Sequence, residues 1–247
     1  MRTTPKHIIN KRASRIKFIM LSLLSFLALN TFSQGNPYNL PYYDTRLIHF
    51  GFILGYNQAW ENVSLHNPQP HKDTILDVNT PHQSGFTIGV VSDLKLLSFL
   101  RLRLTPSISF CNRKTIFNTS FKNSESTVKS DIETIWLEAP LELKIQAKRW
   151  QNFRPYLIGG VKYAYDLASL KRKKTDNLNI PIKLDSHEMF YTLGFGFDFY
   201  LQYFKFGIEL KTSFALNDVL VHSYNTIYTS VIDKFRSQVF YINLTFE

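Results

Sequence analysis

The sequence predicts an all-β fold, an eight-stranded antiparallel up-and-down transmembrane β-barrel. Three observations lead to this prediction: segments in which apolar and polar residues alternate, connections that are alternately long and short, and a basic, apolar leader. Successive side chains of a strand point to opposite faces, so this alternation gives each strand one apolar and one polar face. The leader and the connections then indicate which environment the apolar face meets.

Eight segments of the chain alternate in this way. Leu100–Phe110 places Leu, Pro, Ile and Phe residues on one face and Arg, Thr and Ser residues on the other. In Ile135–Lys148 the alternation continues for longer than the roughly five or six residues of an average strand. The predicted strands are Ile48–Asn57, Gly85–Val91, Leu100–Phe110, Ile135–Lys148, Pro155–Leu167, Glu188–Tyr200, Lys205–Phe214 and Val239–Phe246.

The connections between these strands alternate in length, beginning with a long one. Short turns are predicted at Asp93–Leu97, Arg149–Phe153 and Leu201–Gln202. The long connections include the polar stretch Asn112–Ser130 and the segment Ala168–His187. Outer-membrane barrels have short periplasmic turns and longer outer loops. Since the strand number is even, we expect both chain termini on the periplasmic side.

The N-terminal 33 residues have the composition of a cleaved secretory signal peptide. They contain six basic residues, no acidic residue and an apolar run from Phe18 to Leu29. As a helix, that run spans about 18 Å, too short for a hydrocarbon core of about 30 Å. We expect cleavage after Ser33, leaving a periplasmic segment at 34–47 and an outer-membrane barrel at 48–247.

Composition and charge exclude several functional classes. The full chain has a formal net charge of +10, and subtracting the six leader charges leaves +4, too little to indicate a nucleic-acid partner. An aromatic content of 15% argues against disorder. The single cysteine, Cys111, cannot form an intrachain disulfide.

The polar faces of the strands carry charges of both signs, which a soluble sheet would expose to water and a membrane barrel would enclose. The interior of an eight-stranded barrel is just wide enough to be filled by side chains. We therefore expect paired charges and a closed lumen rather than a pore. The predicted interior network consists of Arg101, Arg103, Glu138, Glu142, Lys144, Lys162, Asp166, Asp198, Lys205, Glu209 and Lys211.

Little in the sequence points to catalysis. The histidines lack HExxH or other zinc-ligand spacing, and no glycine-rich phosphate loop is found. His187 follows Ser186 and His222 precedes Ser223, but adjacent residues of a strand face opposite sides and cannot act as nucleophile and base. We expect no enzymatic activity, no cofactor and no metal.

A basic run occupies the third long connection. It consists of Lys171, Arg172, Lys173 and Lys174. Two interpretations stay open: a solvated loop tip, or a contact for lipopolysaccharide phosphates or an acidic partner through charge attraction.

Several motifs resemble the PorT family of outer-membrane β-barrel proteins of Bacteroidota. They are Asn39-Leu40-Pro41-Tyr42-Tyr43-Asp44, His49-Phe50-Gly51-Phe52, Leu137-Glu138-Ala139-Pro140-Leu141-Glu142-Leu143-Lys144, Arg154-Pro155-Tyr156 and Gly159-Gly160-Val161-Lys162-Tyr163. The resemblance covers roughly residues 36–247, and Ala139 departs mildly from the family pattern. It implies a part in the type IX (Por) secretion system and no catalytic residues.

Three functions therefore stay open. The first is a non-enzymatic outer-membrane component that supports protein export or assembly, with outer-membrane lipid and other secretion-system proteins as partners. The second is a general structural or surface-binding barrel whose outer loops contact ligand, lipopolysaccharide or a partner. The third is a soluble β-barrel that carries a hydrophobic ligand, which would be recovered in the soluble periplasmic fraction.

Overall fold

The computed structural model describes residues 38–65, 75–121, 124–169, 185–220 and 232–247. The predicted signal peptide and the basic run at 171–174 lie outside these residues. A short 3-10 helix, Tyr43–Thr45, precedes the first strand. The strands are β1 (Ile48–Leu65), β2 (Ile75–Asn79), β3 (Gln83–Lys95), β4 (Leu100–Leu104), β5 (Ser107–Phe121), β6 (Ser124–Gln146), β7 (Phe153–Asp166), β8 (His187–Tyr200), β9 (Lys205–Ala215) and β10 (Ile232–Phe246). No helix among the described residues has both the length and the apolar character needed to cross a bilayer.

The strands close into a ring with eight positions. β1 pairs with β10 on one side and with β3 on the other, and every neighbouring pair in the ring is antiparallel. β4 and β5 share one position between β3 and β6. They are separate strands because Pro106 has no N–H to donate, although its carbonyl still accepts a hydrogen bond from the Val90 N–H at 3.0 Å. The structure confirms the predicted eight-stranded up-and-down barrel.

The two faces of each strand differ as the alternation predicts. Along β6, Leu141 and Leu143 are 46% and 45% exposed on the outside, whereas Glu142 and Lys144 between and beside them are 1% and 0% exposed. The outward face therefore presents a band of Leu, Ile, Val and Phe side chains, with Tyr residues among them. Such a band, with aromatic residues toward its edges, is the surface that outer-membrane barrels present to lipid.

The stretch Asn112–Ser130, predicted as a polar loop, is mostly strand, so that prediction was wrong. β5 and β6 continue through it as a hairpin with register pairs such as Asn112 with Glu133 and Lys114 with Asp131. The apolar alternation stops here because the outward face of the hairpin carries polar residues. Its backbone nevertheless stays fully paired along the ladder. β1 and β10 likewise extend beyond their predicted bounds at the same end of the barrel.

Aromatic and aliphatic side chains fill the interior between the charged groups. One cluster crosses the barrel and includes Trp136, Phe190, Tyr241 and Val239, and a second lies at the long-loop end around Phe117 and Phe235. Another ring, that of Tyr156, lies across Gly196, where a Cβ atom would come within 2.4 Å of the tyrosine Cζ. Glycine is required at that position because any side chain would displace the ring.

Candidate functional site

The structure buries every residue of the predicted interior network, each at 6% exposure or less. A buried charge without a partner costs several kcal/mol, so the partners of these groups decide whether the interior is stable. We divide the network into three groups. The central group surrounds Arg103, and the middle group, with Lys211 and Lys162, extends from it toward the long loops. The lower group, with Arg101, lies at the short-turn end.

Arg103 is the hub of the central group. Its Nε and Nη2 donate to the two oxygens of Asp93 at 3.1 and 3.0 Å, which is a bidentate pair. The same guanidinium reaches Glu209 Oε2 at 3.3 Å and Glu247 Oε1 at 2.7 Å. One side chain thus links carboxylates from β3, β9 and the residue that follows β10.

Two lysines complete the central group. Lys144 Nζ donates to both oxygens of Asp198, at 3.1 and 2.8 Å, and lies 3.7 Å from the centroid of the Tyr156 ring. Lys205 Nζ donates to Glu247 Oε2 at 2.7 Å and lies 3.8 Å from Asp198. Each ammonium therefore has a carboxylate within hydrogen-bond distance.

The middle group contains three further ion pairs, one of which joins Lys211 Nζ to Glu209 at 3.4 Å. Lys211 Nζ lies 3.1 Å from Glu142, which also accepts a hydrogen bond from the Thr192 hydroxyl at 2.8 Å. Farther toward the long loops, Lys162 Nζ donates to Glu138 at 2.8 Å and to the Tyr241 hydroxyl at 2.7 Å. The Tyr241 hydroxyl itself donates to Glu138 Oε1 at 2.7 Å, which closes a three-membered network.

Two residues of the predicted network, Asp166 and Arg101, make hydrogen bonds to neutral groups. Asp166 accepts a hydrogen bond from the backbone N–H of Ala168 at 3.0 Å and thereby holds the start of the connection after β7. Arg101 donates to Gln146 Oε1 at 3.1 Å, and its Nη1 lies 2.8 Å from His49 Nδ1. Arg101 belongs to the lower group, where it faces the N-terminal segment.

A fourth group of charges, nearer the long loops, was not predicted from the sequence. Arg113 on β5 pairs with Glu61 of β1 at 3.2 Å and with Glu188 of β8, and the Ser237 hydroxyl donates to Glu188 at 2.7 Å. Arg113 was assigned to a loop and Asp93 to a turn. Continuing the inward phase of the alternation past the predicted strand ends would have placed both inside the barrel.

The N-terminal segment Asn39–Arg46 lies against the short-turn end of the barrel. Asp44 accepts two parallel hydrogen bonds from Arg154, at 2.9 and 3.0 Å, and one from the Tyr200 hydroxyl at 3.2 Å. Arg101 and Arg149 each approach the same carboxylate to 3.8 Å. A single carboxylate from the segment thus faces three arginines of the barrel.

Further contacts hold the rest of this segment. The Asn39 amide donates to the Tyr200 carbonyl, and its backbone N–H donates to Asn152 Oδ1, each at 3.0 Å. The Tyr43 ring stacks on His49 with 3.9 Å between centroids, and its hydroxyl donates to Glu247 at 3.1 Å. Burial and the Glu247 carboxylate raise the pKa of Tyr43, so it stays a neutral donor. The segment is therefore folded into the mouth of the barrel.

Replacing Asp44 with asparagine is expected to loosen this closure without unfolding the barrel. The amide keeps the shape of the side chain but cannot neutralise three arginines, and about 1–3 kcal/mol of segment docking is lost. Proteolysis should then cut within residues 39–46 at least fivefold faster than in the wild-type protein. The matched control is Asp77→Asn, an exposed aspartate of β2, and equal cleavage rates in both variants would contradict the expectation.

Acid is expected to weaken the same end of the barrel through Glu247. Burial by itself raises the pKa of this carboxyl, but Lys205 and Arg103 outweigh burial and lower the pKa to about 2. Because the pKa of Glu247 is lower in the folded protein than the unfolded value of about 4.5, its ionised carboxylate stabilises the folded state at pH values above 4.5. This stabilisation is lost as the pH falls from 4.5 toward 2. Unfolding midpoints across that window should fall more steeply for the wild-type protein than for Glu247→Gln, and parallel curves would contradict the assignment.

Taken together, the described interior is built from charges that neutralise one another. Among the described residues, no group of three His, Cys, Asp or Glu side chains is arranged to hold a metal ion. The arrangement fills space and fixes strand register, and its carboxylates and cations are engaged by each other.

Similar folds occur among solved outer-membrane proteins. The OprG structure from Pseudomonas aeruginosa is 15% identical with a TM-score of 0.46, and the match covers 81% of this chain and 95% of that one. Neisserial surface protein A is 9% identical with a TM-score of 0.42, covering 81% and 98%. Ail of Yersinia pestis, crystallised with the heparin analogue sucrose octasulfate, is 10% identical with a TM-score of 0.34, covering 81% and 99%.

No curated protein matches this chain. A model of the outer membrane protein beta-barrel domain matches residues 32–221, which is more than half of the sequence. This match agrees with the ring of antiparallel strands and with the apolar outward band described above. The chain belongs to the outer membrane protein beta-barrel domain family and is an outer-membrane β-barrel protein.

Proposed function

We propose that this protein is a non-enzymatic, non-conducting outer-membrane component of the type IX (Por) protein secretion system that supports export or assembly. The observation that carries the proposal is the interior filled by ion pairs. Arg103 pairs with Asp93, and Arg113 pairs with Glu61. At the short-turn end, Asp44 of the N-terminal segment pairs with Arg154. A barrel whose inward charges pair with one another across the lumen is suited to bind and orient partners in the membrane rather than to pass cargo through its interior.

The motifs behind the PorT resemblance also support this proposal. Asn39 and Asp44 belong to one of these motifs, and Arg154 begins another that is more than a hundred residues away in sequence. In the folded chain Asp44 pairs with Arg154, and Asn39 lies beside the same turn through Asn152. In the proposed topology the leader is cleaved and both termini are periplasmic, so this closed end faces the periplasm.

Deletion of the gene tests the proposal. Proteins with C-terminal sorting domains are expected to accumulate in the periplasm of the deletion strain and to be exported again after complementation with the wild-type gene. Mild-detergent purification of the native protein should then recover other secretion proteins. Unchanged export in the deletion strain, with normal levels of unrelated outer-membrane proteins, would overturn the secretion assignment.

A surface-binding barrel is the second candidate function, and the basic run at 171–174 favours it. Four adjacent cations on a long outer connection would attract phosphorylated lipopolysaccharide or an acidic partner. Alanine at all four positions should reduce binding of such a surface ligand severalfold. If binding is unaltered while export depends on the protein, the secretion function is favoured over this one.

A further inference from the structure

A groove lies on the outward face of the barrel near the long-loop end, apart from the interior network. It has a volume of about 300 Å³. Two cations of β10, Lys234 and Arg236, line one side. Tyr191 of β8 and Phe214 of β9 line the other, with their rings stacked at 5.0 Å between centroids. The groove therefore joins a basic wall to an aromatic wall.

The groove lies where the apolar band ends. Along the outward face of β10, the residues that follow the basic pair toward the short-turn end are Gln238, Phe240 and Ile242. Register pairing places Phe214 opposite Gln238 and Tyr191 opposite Phe214, so the aromatic wall lies level with the upper limit of the band. Aromatic residues mark the membrane interface in such barrels, and the cations lie just beyond it.

The cations of this groove lack the partners that neutralise the interior. Within the described part of the chain, neither Lys234 nor Arg236 has an ion pair, and both are exposed. The neighbouring strand β1 contributes only neutral side chains to the groove, Asn62 and Ser64. The nearest acids are Asp233, which precedes Lys234 in the chain, and Asp218, whose Oδ1 accepts a hydrogen bond from the Phe235 N–H at 3.0 Å. Neither acid lines the groove, so its lining side chains carry only positive charge.

We propose that this groove binds a phosphorylated lipid of the outer leaflet, with the phosphate on Lys234 and Arg236 and an acyl chain along Phe214. A guanidinium and an ammonium two residues apart on one strand face present several donors to the same anion. Cations at a membrane surface attract anionic lipid headgroups, and the aromatic wall suits the adjoining chain. The inference rests on the proposed orientation, in which this end of the barrel meets the outer leaflet.

The β5–β6 hairpin offers a matched control at the same end of the barrel. Lys114 and Lys129 also face outward, but acids of the same hairpin, including Asp131, lie beside them in the register. This hairpin surface carries charges of both signs, so it should not concentrate anionic lipid. Lys114→Gln with Lys129→Gln removes the same number of positive charges as Lys234→Gln with Arg236→Gln.

The test is native mass spectrometry of the purified, folded full-length barrel with added diphosphorylated lipid A. The wild-type protein and the hairpin control should retain the lipid alike, whereas Lys234→Gln with Arg236→Gln should weaken its apparent affinity about tenfold or more. Removing the phosphates from the lipid should weaken binding to the wild-type protein by a similar factor. Heat-modifiable gel migration verifies that each variant is folded, and all substituted side chains lie on the outward face of the barrel.

Three results would overturn the proposal: equal affinity of the two double variants, binding that is indifferent to dephosphorylation, or full competition by millimolar inorganic phosphate. The last would show a simple anion site without a role for the acyl chain. Because binding is measured on purified protein, a failure here does not bear on export, and normal lipid binding would survive a failure of the secretion assignment.

Discussion

Replacing Arg103 with methionine is expected to lower the free energy of unfolding by about 3–5 kcal/mol. The guanidinium contacts Asp93, Glu209 and Glu247, and its removal leaves three carboxylates close together in the interior. Methionine fills a similar volume, so the loss reports on the charge and its hydrogen bonds rather than on a void. Denaturant unfolding of the detergent-solubilised barrel, followed by tryptophan fluorescence, measures it.

A matched control separates this effect from the loss of any arginine. Arg46 is exposed in the N-terminal segment, and Arg46→Met should change the free energy of unfolding by no more than about 0.5 kcal/mol. Combining Arg103→Met with Asp93→Asn should recover part of the loss, because one of the stranded charges is removed with its partner. If Arg103→Met alone stays within 1 kcal/mol of wild type, water must reach the centre of the barrel.

Local alternation predicted the strands and their two faces, because both follow from one periodic signal. Leu141 and Glu142 show this: the sequence pattern assigns one to each face, and the structure exposes the first and buries the second. The lengths of the connections supplied the up-and-down order. The basic, apolar leader indicated that the apolar faces meet lipid, and no detail of packing was needed for these inferences.

The alternation of apolar and polar residues ends where the outward face of the strands passes beyond the apolar band. Beyond the apolar band, β5 and β6 carry polar residues outward, so their strands continue without the alternation that reveals a strand. For this reason the sequence pattern assigns Arg113 to a loop and not to the barrel interior. Pro106 had the opposite effect, because it interrupts the ladder inside an alternating segment that reads as one continuous strand.

The partners within the network could not be predicted, although its members could. Which carboxylate meets Arg103 depends on register between strands and on which side chains cross the lumen. The pair between Asp44 and Arg154 joins residues 110 positions apart and depends on the N-terminal segment folding back onto the barrel. Sequence periodicity describes the faces of single strands and carries no information about such contacts across the ring.

Replacing Trp136 with alanine is expected to lower the free energy of unfolding by about 3–5 kcal/mol. The indole is fully buried and meets the Phe190 ring edge-on at 6.1 Å between centroids. It also lies under two cations, with Arg113 Cζ 4.8 Å and Lys162 Nζ 5.7 Å from the ring centroid. Its removal therefore costs apolar contacts and two cation–π interactions, and leaves a void between charged groups.

Trp150 provides the control, because its side chain is 76% exposed in the turn between β6 and β7. Trp150→Ala should change the free energy of unfolding by less than about 0.5 kcal/mol, and Trp60 remains as the fluorescence probe in both variants. Trp136→Ala should nevertheless conduct no ions in a planar bilayer, since the groups around Arg103 and Asp44 still close the lumen below it. Steady conductance after this one substitution would mean that the indole alone seals the barrel. The deeper ion-pair network would then be a structural support within a gated pore, and a non-conducting role in secretion would have to be abandoned.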